Sequence, residues 1–475
     1  MIELLTGNYL FEYDQGVIFQ SIKKIVVDYK LTLIGTEVGG IGGFFQGPGW
    51  YYLLSIPFII SGGNPYGAMI LMYILGFITI SLSIITVTHI YGKNTALIVG
   101  FFIAISPAII SQSRFIWAPF PISLLTVLFL YYLYRVFNNQ KEFLPQSTLM
   151  LGLMTHFETA VAVTLLVTVL ILIPIFIFKK LTTWKMLFLS GIILVVSQLP
   201  LILFDLRHNF LNLKGILRLI LTTGGSNHNL MTLLYNRLDI FKGVLLDSFP
   251  MTYYWWPFLL IILIGILMFL SDNKKSPSQK MMIFYLVFCP FLIFLLFLGY
   301  NKAIWTWWII ELHIFYCYLI GIILAYFWEK NYLRILVKIT LVFFFLLSVY
   351  QTYNLYNNDY NDFGGVHKIK GKIQALDYIY HDANNKPFNI MIFSPPIYTD
   401  PYDYLLWWYG KSKYRYVPEK KIAGTLYLLI EPDSYKPWSY NGWLETVIKK
   451  GTVINRKNLP SGFIIEKRLI GDNKI

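Results

Sequence analysis

From Tyr66 to Tyr350 the chain alternates long apolar runs with short polar connections. The runs cover Tyr66 to His89, Thr95 to Gln112, Phe120 to Val136, a pair within Ser147 to Phe178, Lys185 to Phe204, Thr252 to Leu270, Met281 to Leu298, Ile304 to Trp328 and Leu333 to Tyr350. Each is near the roughly 20 residues that a helix needs to cross a bilayer, which predicts about ten or eleven passes. Residues 1–65 break that pattern. Met1 to Glu12 holds no run long enough to span, and it has no basic lead or cleavage site of a signal peptide. Tyr13 to Leu33 is polar and amphipathic, and Gly35-Thr36-Glu37 leads into the cluster Gly39, Gly40, Gly42, Gly43. The segment closes on Phe44-Phe45-Gln46-Gly47-Pro48-Gly49-Trp50-Tyr51-Tyr52 and Ser61-Gly62-Gly63-Asn64-Pro65. A glycine-rich loop with two carboxylates would leave its backbone unsatisfied in hydrocarbon, so it belongs at the membrane surface, where its Trp/Tyr belt also belongs. From Gly364 the pattern changes again, to short apolar runs at Phe388 to Phe393 and Thr425 to Ile430 and a helical run from Lys368 to His381. It predicts a small α/β domain over 364–475.

The lysines and arginines orient the passes. Lys93, Arg135 with Lys141, Lys179, Lys180 and Lys185, Lys274, Lys275 and Lys280, and Lys330, Arg334 and Lys338 occupy alternate connections, which the positive-inside rule assigns to the cytoplasm. The remaining connections then face outward: the opening loop, Ser113 to Pro119, Asp205 to Pro250, Gly299 to Ala303 and everything after Tyr350. Because Ser147 to Lys179 starts and ends near cytoplasmic charge, it reads as a hairpin turning at Thr155-His156-Phe157-Glu158. A single tilted helix there would reverse every later loop.

Composition agrees with a polytopic membrane protein. The 475 residues are 56% hydrophobic and only 13% charged, against about 25% charged in soluble domains, and the mean hydropathy is +0.57. The formal charge of +14 is accounted for by cytoplasmic loops and anionic lipid, with no call for nucleic acid. Cys289 and Cys317 lie inside apolar runs and form neither a disulfide framework nor a thiol metal motif. Aromatics at Trp407, Trp408, Tyr409, Tyr414, Tyr416, Trp438, Tyr440 and Trp443 suit sugar stacking, although interfacial anchoring is the plainer use.

The chemistry must come from the outward loops. Asp14 could deprotonate an acceptor hydroxyl within hydrogen-bond reach, against the plainer reading of a solvated surface Asp. Glu37 stands at the lip of the glycine-rich loop, where it could equally brace a turn. Arg114 sits at the outer end of a pass, where Arg commonly snorkels, yet its planar fork also suits a phosphate. His156 and Glu158 interrupt an apolar hairpin, and their spacing of two does not favour a shared metal. Asp205, Arg207 and His208 could cap and anchor a helix end or hold a lipid phosphate. Glu311 and His313 are polar groups near the outer third of a pass. No metal motif, Ser/His/Asp arrangement or phosphate-binding glycine loop is present.

The order of these blocks resembles a known family. An outward loop opening on Asp14, the close Phe45-Gln46-Gly47-Pro48-Gly49-Trp50-Tyr51-Tyr52, Gly62-Gly63-Asn64-Pro65, Ser113-Arg114-Phe115-Ile116-Trp117-Ala118-Pro119 and Phe204-Asp205-Leu206-Arg207-His208 is similar to bacterial glycosyltransferase family 39 and dolichyl-phosphate-mannose protein mannosyltransferase-like proteins. These belong to the GT-C superfamily, and the resemblance runs from residue 9 to about 350. It implies a mainly α, multi-spanning cell-membrane enzyme with its small C-terminal domain outside the cytoplasm. Such an enzyme transfers a mannose-like hexose or a pentose from a polyprenyl-phosphate donor to a protein, lipid or glycan acceptor. Asp14 matches the acidic residue that opens the family's first loop, while Gln15 stands where a second acid is common. Gln46 occupies a place often held by His. Both departures leave Asp14 as the sole candidate base and leave a divalent metal without support. The family's first transmembrane helix, expected ahead of Asp14, is missing, which a start site set too far downstream would explain.

The implied mechanism puts the lipid phosphate on Arg114 and Arg207, with Glu37, Gln46, His156, Glu158 and His208 lining the same site, and no nucleotide. Two other classes remain. A lipid or sugar transporter or flippase would more often show repeated halves with broken helices, and no internal repeat is visible. A non-catalytic scaffold would be indifferent to Asp14.

Overall fold

The computed structural model describes residues 2–38, 42–221, 230–251, 255–361, 364–395, 398–433, 435–436 and 438–471. Gly39 and Gly40 of the glycine cluster and Thr252 at the head of one predicted pass lie outside them.

Helices occupy every predicted pass. In chain order they are α1 (Ile2–Thr6), α2 (Tyr13–Val26), α3 (Gly49–Ile60), α4 (Tyr66–Tyr91), α5 (Lys93–Ile105), α6 (Pro107–Gln112), α7 (Ile122–Phe137), α8 (Leu144–Met154), α9 (Thr159–Phe178), α10 (Trp184–Ser197), α11 (Leu199–Arg207), α12 (Leu211–Leu221), α13 (Leu230–Asp247), α14 (Trp255–Ser271), α15 (Pro277–Leu298), α16 (Leu312–Glu329) and α17 (Arg334–Tyr360). Among the described residues five of them, α4, α9, α15, α16 and α17, are long and apolar enough to cross a membrane, and the pair α10 and α11 makes a sixth with a 56° bend. Proline breaks two of the predicted passes. The predicted pass from Thr95 to Gln112 breaks at Ser106, whose side chain caps α6 while Pro107 takes its first position. Pro200 at the start of α11 makes the bend after α10 in the same way.

Packing gathers the predicted cytoplasmic connections at one end of the bundle. Gln279 donates to the Ile90 carbonyl at 2.9 Å, Ser278 donates to Asn138 at 3.1 Å, Lys275 pairs with Glu329 at 2.6 Å and Lys330 with Asp272 at 3.3 Å. The predicted outward loops meet at the other end. Between the ends lies one large core in which Val99, Phe102, Phe129, Leu165, Leu286, Phe315 and Ile323 are fully buried. In lipid such a core is held by van der Waals fit rather than by escape from water.

Arg237, on α13, is 2% exposed in this core. It donates to the carbonyls of Phe297 at 3.0 Å, Tyr300 at 2.8 Å and Lys302 at 2.5 Å, which ties α13 to the end of α15 and the turn that follows it.

The C-terminal domain holds α18 (Ile369–Ala383), α19 (Asp400–Leu405), α20 (Ser439–Trp443) and the strands β1 (Asn389–Phe393), β2 (Gly424–Ile430), β3 (Thr452–Asn458) and β4 (Ile464–Ile470). The sheet order is β1-β2-β4-β3, with β1 and β2 parallel and the other two pairs antiparallel. This domain does not stand apart. A second core joins Phe11, Ile18, Phe19, Trp50, Leu54 and Phe58 of the first 65 residues to Tyr404, Leu405, Tyr427 and Ile465 of the domain. Gly16 makes the close approach: a Cβ there would lie 2.3 Å from the backbone nitrogen of Pro401. Of the predicted sugar-stacking aromatics, Trp407 is used in this docking, stacked on Phe58 at 6.4 Å, and Tyr414 packs within the domain on Tyr380 at 4.2 Å.

Candidate active site

Asp14 stands in the first turn of α2, which opens with a capping box between Glu12 and Gln15. Asp14 is exposed. Desolvation first, and the negative charge of Glu12 second, raise its pKa above the ordinary carboxylate value. A more basic carboxylate is a better proton acceptor near neutral pH. Tyr51 of α3 lies within its electrostatic reach. Gln15, where a second acid is common in the resembled family, is fully buried and donates to the Ile116 carbonyl at 2.9 Å. It therefore fixes the helix that carries Asp14 onto the loop of Ser113 to Pro119.

The glycine-rich loop is clamped from both sides. It folds back on itself through Gly35 N–H to the Gln46 carbonyl at 2.7 Å and Val38 N–H to the Phe44 carbonyl at 2.8 Å. Glu37 braces this turn by accepting from Gly43 N–H at 2.9 Å. On one side the loop meets the hairpin turn between α8 and α9. Gly47 N–H donates to the Thr155 carbonyl at 3.1 Å, and Gln46 accepts from the Thr36 hydroxyl at 3.0 Å and donates to Glu158 at 3.4 Å. His156 accepts from Gly49 N–H at Nδ1, 3.2 Å away, so its Nε2 carries the proton it donates to the Ser197 carbonyl at 2.9 Å. Burial lowers the His156 pKa, so the ring is neutral and both nitrogens are occupied.

On the other side stand α11 and α12. Phe45 N–H donates to the buried Asn212 at 2.7 Å, and Phe45 packs edge-on against Phe204 at 5.6 Å. His208 stacks on Phe204 at 4.1 Å and donates from Nδ1 to the Phe204 carbonyl at 2.8 Å. Asp205 accepts from Asn212 N–H at 2.6 Å and Leu213 N–H at 3.0 Å, so it caps α12 instead of pairing with Arg207. Arg207 is exposed at the end of α11 and makes no ion pair among the described residues.

Arg114 is placed differently. Its Nε donates to Glu3 at 2.9 Å, and its Nη2 pairs with Glu3 at 2.8 Å and with Asp359, which also pairs with Lys368 at 3.3 Å. A phosphate would have to displace a carboxylate to reach it. The structure thus brings together Glu37, Gln46, His156, Glu158, Phe204 and His208 around the loop, and sets Arg114 in a separate ion-pair network that ties α1, the Ser113 to Pro119 loop and the end of α17.

Beside that loop lies a cavity of about 360 Å³, within the usual range of about 300–1,000 Å³ for small-molecule sites. Its wall includes Gln112, Trp117, Phe120, Asp247, Trp307 and His313. Trp117 meets Trp307 edge-on at 5.1 Å, and His313 Nδ1 contacts the Ser248 hydroxyl at 2.8 Å. Asp247 and Trp307 were not singled out from sequence, although an acid at the edge of an apolar run is a signal that could have found the first. Glu311, which follows the cavity residue Ile310, is fully buried, and neither carboxylate oxygen has a hydrogen-bond partner in the described structure. Among the described residues no three His, Cys, Asp or Glu side chains gather in a way that would hold a metal ion.

Glu158 gives a pH prediction. Burial raises its carboxyl to about 8, against about 4.3 for an exposed Glu. Between those values the folded chain keeps a proton that the unfolded chain has released. Stability therefore falls as pH rises through that window, by up to about 1.4 kcal/mol per pH unit, and levels off above it. Thermal midpoints taken from about pH 5 to pH 8 are expected to fall less steeply for Glu158→Gln than for the wild type. Equal slopes would contradict a buried, protonated Glu158.

No protein-family model matches the sequence, and no curated protein matches it. Solved structures do match in shape. The crystal structure of ArnT from Cupriavidus metallidurans in the apo state aligns with a TM-score of 0.61 at 11% identity, covering 97% of this chain and 94% of that one. The same protein bound to undecaprenyl phosphate aligns with a TM-score of 0.59 at 11% identity over the same shares of 97% and 94%. An Archaeoglobus fulgidus oligosaccharyltransferase in complex with zinc and sulfate aligns at 0.47 and 14% identity, covering 96% and 69%, too loosely to carry an argument. Over nearly its whole length, then, the chain has the fold of ArnT.

Proposed function

We propose that this protein is a membrane glycosyltransferase that moves a sugar from a polyprenyl-phosphate carrier to an acceptor hydroxyl at the outer end of its bundle. The observation that carries the reading is the fold shared with ArnT over 97% of the chain. Within that fold Gln15, the neighbour of Asp14, is bonded to Ile116, which precedes Trp117 of the aromatic cavity. One of the matching ArnT structures is bound to undecaprenyl phosphate, which supports a lipid-linked donor here.

In this reading the donor sugar, a hexose or pentose, enters the cavity walled by Trp117 and Trp307, whose faces suit the C–H side of a sugar ring. The prenyl tail lies in the apolar surface between helices. Arg207, exposed and uncommitted beside the clamped loop, binds the phosphate; Arg114 holds the scaffold under the loop. Asp14 takes the proton of the attacking hydroxyl as the acceptor oxygen bonds to the anomeric carbon, and the carbon–oxygen bond to phosphate breaks with its electron pair leaving on the lipid phosphate. Phosphate is a fair leaving group, so positioning and charge neutralisation are the main tasks. Gln46, His156 and Glu158 serve by fixing the loop. The loop, Asp14 and the C-terminal domain face away from the cytoplasm, as the lysine-rich opposite end requires.

A binding experiment tests the donor class. Undecaprenyl phosphate added to the protein in nanodiscs is expected to raise the thermal midpoint in a concentration-dependent way, as any ligand of the folded state does. Arg207→Ala should shift that dependence to about tenfold higher lipid, the value of one charge-assisted contact. A midpoint that responds equally to undecanol-type lipids without phosphate would contradict a phosphate site.

A further inference from the structure

We propose that the cleft between α2 and the C-terminal domain is the acceptor subsite and that it takes a neutral glycan by its hydroxyls. The proposal rests on the transferase reading above and names the acceptor class that this reading leaves open.

The cleft encloses about 230 Å³, and its lining includes Glu12, Tyr13, Lys372, Tyr398, Tyr402 and Glu431. Its floor is charged and organised. The Lys372 side chain is 2% exposed, and its ammonium donates to the Tyr402 hydroxyl at 3.3 Å and to the Val366 carbonyl, with Glu431 at 3.7 Å. Tyr402 in turn donates to Glu431. At the rim Glu12 pairs with His367 at 2.7 Å, and the rings of Tyr13 and Tyr398 lie 4.5 Å apart. These two tyrosines are 42% and 51% exposed, which leaves ring surface open toward the solvent.

This chemistry selects among acceptors. The apolar surface of the cleft comes from Pro395, Pro401 and the tyrosine rings, with no Leu, Ile, Val, Met or Phe in its lining, so it has no deep aliphatic pocket for an acyl chain. The carboxylates of Glu12 and Glu431 have lone pairs left to accept from hydroxyls, while tyrosine faces take the C–H side of a pyranose. The opposed charges of Glu12, Glu431 and Lys372 favour a neutral ligand over an anionic or a cationic one.

Placement relative to Asp14 completes the argument. Glu12 and Tyr13 line the cleft, Asp14 is the next residue, and Glu12 and Tyr13 both lie within electrostatic reach of its carboxylate. In the same turn, Gln15 is bonded to Ile116, which precedes Trp117 of the aromatic cavity. In the transferase reading, a hydroxyl held in the cleft lies next to the turn that carries Asp14 and attacks the anomeric carbon of the donor sugar. Its proton goes to Asp14, its oxygen bonds to that carbon, and the lipid phosphate leaves with the electrons of the broken bond.

The test uses the full chain in nanodiscs and a panel of methyl hexosides, lactose, maltose and cellobiose, followed by saturation-transfer NMR. Saturable binding by at least one of these sugars is expected, weakened about tenfold by Tyr398→Ala. No saturable binding, equal binding by Tyr398→Ala, or displacement of the sugar by a Ser/Thr peptide that binds more tightly would overturn the assignment. Hydrolysis of lipid-linked donor without acceptor separates this from the parent reading. Donor hydrolysis without sugar binding sinks the subsite alone, and sugar binding with no donor consumed sinks the transferase.

Discussion

Replacing Asp14 with Asn is expected to lower sugar transfer by roughly 10²- to 10⁴-fold, the usual worth of a positioned general base, while leaving the protein as stable as before. The second half of that result follows from the structure. Among the described residues Asp14 makes no side-chain hydrogen bond and no ion pair, and surface changes away from such features usually stay within about 0.5 kcal/mol. The neighbouring capping box belongs to Glu12 and Gln15 and survives the change. Because desolvation and Glu12 raise the Asp14 pKa, the base is lost by protonation at a higher pH than an ordinary Asp. Wild-type transfer should therefore decline on the acid side, and Asp14→Asn should show no such limb. A variant that loses activity together with its thermal midpoint would point to a structural Asp14 instead.

Gly47→Val is expected to lower transfer about 100-fold with every catalytic side chain still present. A Cβ at Gly47 would lie 2.1 Å from His156 Nδ1, and that ring cannot step aside. It is held by Gly49 N–H on one nitrogen and the Ser197 carbonyl on the other. The loop must move instead, which breaks the bond from Gly47 to Thr155 and the contact from Gln46 to Glu158. A misplacement of about 1 Å costs on the order of 10²-fold in a site that works by positioning. The measurement is transfer rate against thermal midpoint for Gly47→Val and, as a relief, for the double variant with His156→Ala. Recovery of part of the activity in the double variant identifies the ring as the obstacle; no recovery contradicts the clamp.

The parts legible from sequence were those governed by repeating patterns. Apolar runs marked every membrane helix, and lysine-rich connections marked the end where Lys275, Lys330 and Gln279 in fact make their contacts. The turn at Thr155 to Glu158 followed from charge alternation, and the structure has the helices α8 and α9 meeting there. What pattern could not give was the partner of each polar side chain, which depends on contacts across more than a hundred residues. Arg114 read equally as a snorkelling residue or a phosphate ligand, and its actual partners, Glu3 and Asp359, lie 111 and 245 positions away. His156 and Glu158 were set aside as a metal pair by spacing, yet nothing local announced that a glycine loop from residues 35–49 would rest on them. Gln15 was legible only as a departure from a family pattern, and its bond to Ile116 supplies a reason for an amide there. The docking of the C-terminal domain on α2 and α3 was also hidden, because its aromatics carry the same composition whether they face sugar, lipid or each other.

The most direct test of the account is release of lipid phosphate from radiolabelled polyprenyl-phosphate hexoses and pentoses by the protein reconstituted in liposomes, with and without lysate glycans as acceptor. The account predicts that at least one donor is consumed, that label moves to the acceptor fraction, and that Asp14→Asn at equal protein abolishes both. Consumption of no donor by a folded wild-type protein, or equal consumption by Asp14→Asn, would contradict it.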